Sequence, residues 1–162
     1  MTAKKTTSDP VVFEPEFIAA VKHLSEELIS FNQVLGLTLD AITPTEVLAH
    51  IDMKPQLVGH FAYNRIHGGA ISAALDAMGG IALMAAIASR HMDEPVLQRM
   101  QRFSKIGTID LRVDYLRAGI GERFALRAEV LRLGSRVGTT RMEFLSAEGE
   151  LLSAGMAAYI VS

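Results

Sequence analysis

The sequence predicts an α+β domain in which a six-stranded antiparallel sheet wraps around one long central helix, with an additional helix at the N-terminal end. Three observations predict it. Residues 69 to 90 are apolar on almost every side of a helix. Two strand-like runs precede that stretch and four follow it. A helix apolar all round must be covered on most sides, and a curved sheet of those six strands is the cover at hand.

The elements follow in order. Glu14 to Phe31 carries apolar residues at helical spacing, namely Phe17, Ile18, Val21, Leu24, Leu28 and Phe31. Acids near its start suit the helix dipole, and Asn32 and Gly36 supply exit signals. Leu37 to Ile42 and Val47 to Met53 read as short strands around the turn at Pro44-Thr45-Glu46. Lys54 to Ile66, with Pro55, Gly59 and Asn64, reads as loop. The apolar helix comes next, and a short helical turn is expected around Val96 to Gln101. Thr108 to Tyr115 alternates strictly, which places Ile109, Leu111 and Val113 on the helix side and Thr108, Asp110, Arg112 and Asp114 on the other. Phe124 to Leu133, Val137 to Ser146 and Glu150 to Val161 complete the sheet, turning at Gly134-Ser135-Arg136 and Ala147-Glu148-Gly149. Such a sheet folded around a helix is the hotdog arrangement. It leaves part of the helix and one sheet edge bare, so a second copy of the chain is expected to cover both.

Composition narrows the class. The 162 residues fit one domain, expected over 14 to 162, after a disordered lead-in at 1 to 13. The net charge of -2 has no field of one sign and no basic run, so neither nucleic acid nor a membrane is an expected partner. Gly68 to Ser89 is nominally long enough to span a bilayer. Asp76 lies inside it, however, and a central carboxylate costs at least about 2.5 kcal/mol on insertion. A core helix is the better reading. The absence of cysteine removes thiolate nucleophiles and disulfides, and the polar MTAKKTTSDP start lacks the apolar stretch of a signal peptide. A cytoplasmic protein is expected. His23, His50 and His91 have no partners at metal-ligand spacing, so no metal is expected.

Chemistry concentrates in Asn64-Arg65-Ile66-His67-Gly68-Gly69-Ala70-Ile71-Ser72-Ala73-Ala74-Leu75-Asp76. His67 and the glycines stand where loop becomes helix. The first N–H groups of a helix lack internal partners and point outward with the positive end of its dipole. Gly68 N–H is thus a candidate oxyanion donor, and Gly69 lets a ligand approach the backbone. Asp76 lies two turns into the helix among alanines, where a carboxylate could act as a general base. No Gly-x-Ser-x-Gly elbow and no cysteine is present, so a carboxylate mechanism remains. Gly79-Gly80 reads as a site of close helix packing rather than a phosphate loop.

Ile66-His67-Gly68-Gly69-Ala70-Ile71 leading to Leu75-Asp76 resembles the signature of the PaaI-type hotdog thioesterases. Val113-Asp114-Tyr115-Leu116-Arg117-Ala118-Gly119 is similar to the end of that family's third strand, except that proline is usual at the place of Ala118. The resemblance covers residues 35 to 161. It implies hydrolysis of an acyl-CoA thioester without a cofactor, by a homodimer or a dimer of dimers. It also implies that Asp76 activates water or attacks the thioester. Gly68 N–H would polarise the carbonyl, His67 would shape the loop, and Thr108 would help hold the water, with Asp76 and Thr108 from different subunits. An asparagine upstream of the histidine often touches the site, and Asn64 is the candidate here, with His60 as its rival. Arg65, Arg132 and Arg136 are candidates for the CoA phosphates, since arginine pairs well with phosphate. Two other reactions remain open. A hydratase or dehydratase would need a histidine with an acid partner, yet the helix offers no glutamate and position 62 is Ala62. A binding module would hold acyl-CoA without cleaving it.

Overall fold

The computed structural model describes residues 11–162. Most of the expected lead-in lies outside the described residues. Its last member, Phe13, does not: it is buried against Phe17, with ring centroids 4.6 Å apart. Ordered packing therefore begins before residue 14.

The N-terminal helix is not continuous to Phe31. Helix α1 spans Pro15–Lys22, and a wider π-helical stretch follows at His23–Leu28. The chain then leaves helical geometry at Ile29 and re-enters it as α2, Ser30–Leu35. Ile29 N–H donates to Leu24 O five residues back, at 3.2 Å. That extra residue per turn rotates the apolar stripe out of phase. Phe17 and Val21 are fully buried, whereas Leu28 and Phe31 are exposed. Asn32 is no exit signal either, because its amide is buried and donates to Ser25 O at 2.9 Å. The exit falls at Gly36, in the left-handed conformation at φ 74. Helix α4, Val96–Gln101, locks onto α1 through Arg99, which is 1% exposed. Its guanidinium pairs with Glu14 and lies 4.8 Å from the Phe17 ring centroid.

All six expected strands form one antiparallel sheet. They are β1 Leu37–Ile42, β2 Glu46–Asp52, β5 Gly107–Tyr115, β6 Arg123–Leu133, β7 Val137–Ser146 and β8 Leu151–Ile160, ordered β1-β2-β6-β7-β8-β5. The stretch read as loop contains a small hairpin, β3 Val58–His60 with β4 Arg65–Ile66. Asn64 makes its turn possible by adopting φ 46, which asparagine tolerates better than most residues. Helix α3, Gly68–Ala88, runs across the concave face of the sheet against Phe124, Leu126, Met142 and Phe144. Leu75, Met78 and Leu83 are fully buried, so α3 is the core helix of the fold. Its remaining face, at Ala73, Asp76, Ala77, Gly80, Met84 and Ile87, is only half covered.

Strand β5 departs from strict alternation. A bulge lies between Thr108, paired with Tyr159, and Asp110, paired with Ala158. The extra residue is Ile109, which is 59% exposed instead of packed on the helix. A single inserted residue reverses the facing of everything before it. Leu111 and Val113 stay on the helix side as expected, while Thr108 moves onto that side as well.

Candidate active site

Two features of the site lie at different heights along α3. The lower one is the helix start. His67 caps it: Nδ1 accepts from Gly69 N–H at 2.8 Å, which places the ring proton on Nε2. His67 N–H donates to Leu57 O, and Ala70 N–H donates to His67 O. Gly68 N–H is the member of this opening set with no acceptor among the described residues. The cap thus consumes Gly69 N–H and leaves Gly68 N–H free, which separates two glycines that the sequence could not rank. Tyr115 of β5 steadies the turn by donating to Gly68 O at 2.9 Å. A cavity of about 480 Å³ opens here, lined by Gly68, His67, Arg65, Tyr115 and Arg117 among others.

The upper feature is Asp76. Thr108 Oγ1 donates to its Oδ1 at 2.9 Å. The buried Tyr159 hydroxyl lies 2.9 Å from Asp76 O and 3.2 Å from Oδ1, and shares its one proton between them. Burial, with the Asp76 charge second, pushes the Tyr159 hydroxyl far above its usual range, so it stays a proton donor. Asp76 opens into a cavity of about 310 Å³ whose other walls include Ile29, Phe31, Gly80, Met84 and Phe103.

The structure therefore corrects one expectation and adds a separation. Thr108 and Asp76 meet within one chain, not across subunits, because the bulge at Ile109 turns Thr108 toward the helix. Gly68 and Asp76 do not share one site within a chain. Eight residues of helix separate them by about 12 Å, too far to act on one carbonyl. The other candidates scatter. Arg65 stands in the cavity beside Gly68. Asn64 faces a separate cavity with Met53, Phe61 and Glu122. Arg132 and Arg136 lie on the β6–β7 hairpin, at the end of the sheet where Arg90 donates to Leu133 O. That is more than 20 residues of helix, about 30 Å, from Gly68. A second bulge, between Val130 and Arg132, turns Arg132 away from α3.

Sequence reasoning missed Tyr159 and Tyr115. A signal for Tyr159 was present: it alternates with Ala157 on the inward face of β8, where a phenol needs a polar partner.

The long helix inside a six-stranded antiparallel sheet, with a carboxylate on its half-covered face, defines a hotdog-fold thioester hydrolase. The chain belongs to the thioesterase superfamily, whose family model matches residues 63–153. It is 37% identical over 131 residues to the medium/long-chain acyl-CoA thioesterase YigI of Escherichia coli K12, covering 81% of this chain and 84% of that one. A crystal structure of a Shewanella oneidensis protein related to the thioesterase superfamily superposes with TM-score 0.82 at 33% identity, covering 93% of this chain and all of that one. Zebrafish thioesterase superfamily member 2 shares the fold at TM-score 0.72 and 17% identity, over 93% of this chain and 100% of the other.

Proposed function

We propose that this enzyme is an acyl-CoA thioesterase that releases a free acid and CoA. The observation that carries the reading is the Thr108–Asp76 hydrogen bond at the mouth of an apolar cavity. Two hydroxyl donors converge on Oδ1 and hold the carboxylate still, leaving Oδ2 to take a proton from water. The water oxygen adds to the thioester carbon, the C–S bond breaks, and the departing thiolate regains the proton from Asp76. Direct attack by the carboxylate, followed by hydrolysis of the anhydride, uses the same geometry. The cavity lining contains no histidine and no glutamate, so a hydratase has no second proton carrier there.

The oxyanion donor is Gly68 N–H of a second copy. Its own Asp76 is out of reach, and β5 is an open sheet edge on which a copy could pair. The site is then shared across a homodimer. Exposed Val137 and Ile160 are cross-strand neighbours on the outer face of the sheet, an apolar spot at which two dimers could pair. His67 acts as the helix cap that keeps Gly68 N–H free, and Arg65 beside it is the arginine best placed to meet the CoA part of the substrate. Because α3 is used as a core helix, the enzyme is read as soluble and cytoplasmic.

The test is release of CoA thiol from a panel of acyl-CoAs. Wild-type protein is expected to turn over several of them, and Asp76→Ala is expected to lose release while retaining its circular dichroism spectrum. Undiminished turnover by that variant would overturn the mechanism.

A further inference from the structure

The two neighbouring glycines of α3 are glycine for different reasons. At Gly79 an added Cβ would lie 2.2 Å from the Tyr159 hydroxyl and 2.8 Å from Thr140 Oγ1, so packing alone demands glycine. At Gly80 an added Cβ would meet nothing within 4 Å. Packing makes no demand there, yet glycine in mid-helix destabilises the helix relative to alanine. The empty space beside Gly80 is the cavity that Asp76 opens into.

Within that cavity Asp76 and Gly80 are one helical turn apart, and Met84 is one turn further on the same face. Thr108 and the Tyr159 hydroxyl stand at the Asp76 end, whereas Ile81, Met84, Phe103 and Ile106 provide apolar wall beyond it. From Asp76 to Met84 the groove runs about 12 Å. Such a polar mouth and apolar barrel suit a thioester carbonyl at one end and an alkyl or aryl group along the rest.

Resting on the acyl-CoA reading above, we propose that Gly80 is the residue that sets acyl specificity. Its missing side chain leaves the floor of the groove open one turn past the carboxylate, about 6 Å along the tail from the carbonyl. A side chain there would narrow the groove for a long or aromatic acyl group, and a short one would end before reaching it. The tail is therefore selected by width at Gly80, in a groove that Phe31 and Phe103 also line.

The experiment compares wild type, Gly80→Ala and Gly80→Val on butanoyl-, dodecanoyl- and phenylacetyl-CoA, with a thermal melt of each protein. Gly80→Ala should melt at or above the wild-type temperature, since its Cβ enters open space and the helix gains propensity. The kcat/KM ratio of dodecanoyl- to butanoyl-CoA should fall in the order Gly, Ala, Val, by at least tenfold for Val. An unchanged ratio in both variants, or an equal loss on all three substrates by a folded Gly80→Ala, would overturn the assignment while leaving the thioesterase reading intact. A wild-type protein inert toward all three would overturn both.

Discussion

The Tyr159 hydroxyl sits against α3 at Gly79, 2.2 Å from where a side chain at that position would begin, and from there reaches both the main-chain and carboxylate oxygens of Asp76. One residue's lack of a side chain thus admits the group that holds another residue's charge.

This relationship predicts coupling. Gly79→Ala forces a buried clash and should cost about 1–3 kcal/mol. Tyr159→Phe deletes a hydroxyl bonded to a charged partner and should cost about 1.5–3 kcal/mol. In the double variant part of the clash disappears, so urea unfolding should show a total below the sum of the two.

Thr108→Ala removes a hydrogen bond that orients Asp76. It should lower kcat by about tenfold to a hundredfold with little change in KM, as expected for a bond worth about 1.5–3 kcal/mol to a charged group. Thr108→Ser keeps the hydroxyl and should recover most of the loss. Steady-state kinetics with a thiol-reactive dye checks both.

A site shared between copies predicts complementation. Gly68→Pro removes the N–H at the first helical position, where proline is tolerated. His67 already has the extended backbone (φ -69, ψ 134) that a following proline requires. Mixed by refolding with Asp76→Ala, it should regain about a quarter of wild-type activity. Half the dimers are then hybrids, and each hybrid has one intact site. Additive inactivity after mixing would show that one chain holds a whole site.

Arg99 predicts a structural asymmetry. Glu14→Ala strands a buried guanidinium, while Arg99→Met replaces it with an apolar chain over Phe17. The former should be the more destabilising, by up to about 3 kcal/mol. Chemical denaturation of the two variants compares them directly.

Stability should fall on both sides of neutrality. Hydrogen bonding to Arg123 holds the Asp52 carboxyl below its usual range, and Arg102 does the same for Glu94. Folded values below unfolded ones mean that stability is present above the unfolded values of 3.8 and 4.5 and is lost as pH falls through the lowered ones. Tyr159 works in the opposite sense. Its raised value means that stability is complete below 10.0 and is lost as pH climbs above it. Melting temperature against pH should show both limbs, with the alkaline one weakened in Tyr159→Phe.

Much of this was legible in the sequence because periodicity reports burial. Two strand-like runs before an all-round apolar stretch that follows Gly69, and four after it, were enough to place a sheet around a helix. The motif also located Asp76 and the free N–H at Gly68. What was not legible came from residues that break a period. The π-helical turn at His23–Leu28 moved Leu28 and Phe31 outward, and Asn64 made a hairpin from a stretch read as loop. The distance between Gly68 and Asp76 was readable as helix rise, but their adjacency in the motif concealed it. Tyr159 lies 83 residues from Asp76, and only the folded sheet brings them together.

The bulge at Ile109 has a consequence of another kind. No property of the isoleucine side chain aims Thr108 at Asp76; the bulged pairing, which sets Thr108 and Asp110 opposite consecutive residues of β8, does. Removing codon 109 would make Thr108 and Asp110 ordinary neighbours opposite Tyr159 and Ala158, with the threonine still facing Asp76, whereas pairing the strand without its bulge while Ile109 is retained would swing the threonine to the outer face. Catalysis in this chain is therefore exposed to how a strand is paired as well as to its composition, and a slip of register would disable the site without changing one amino acid.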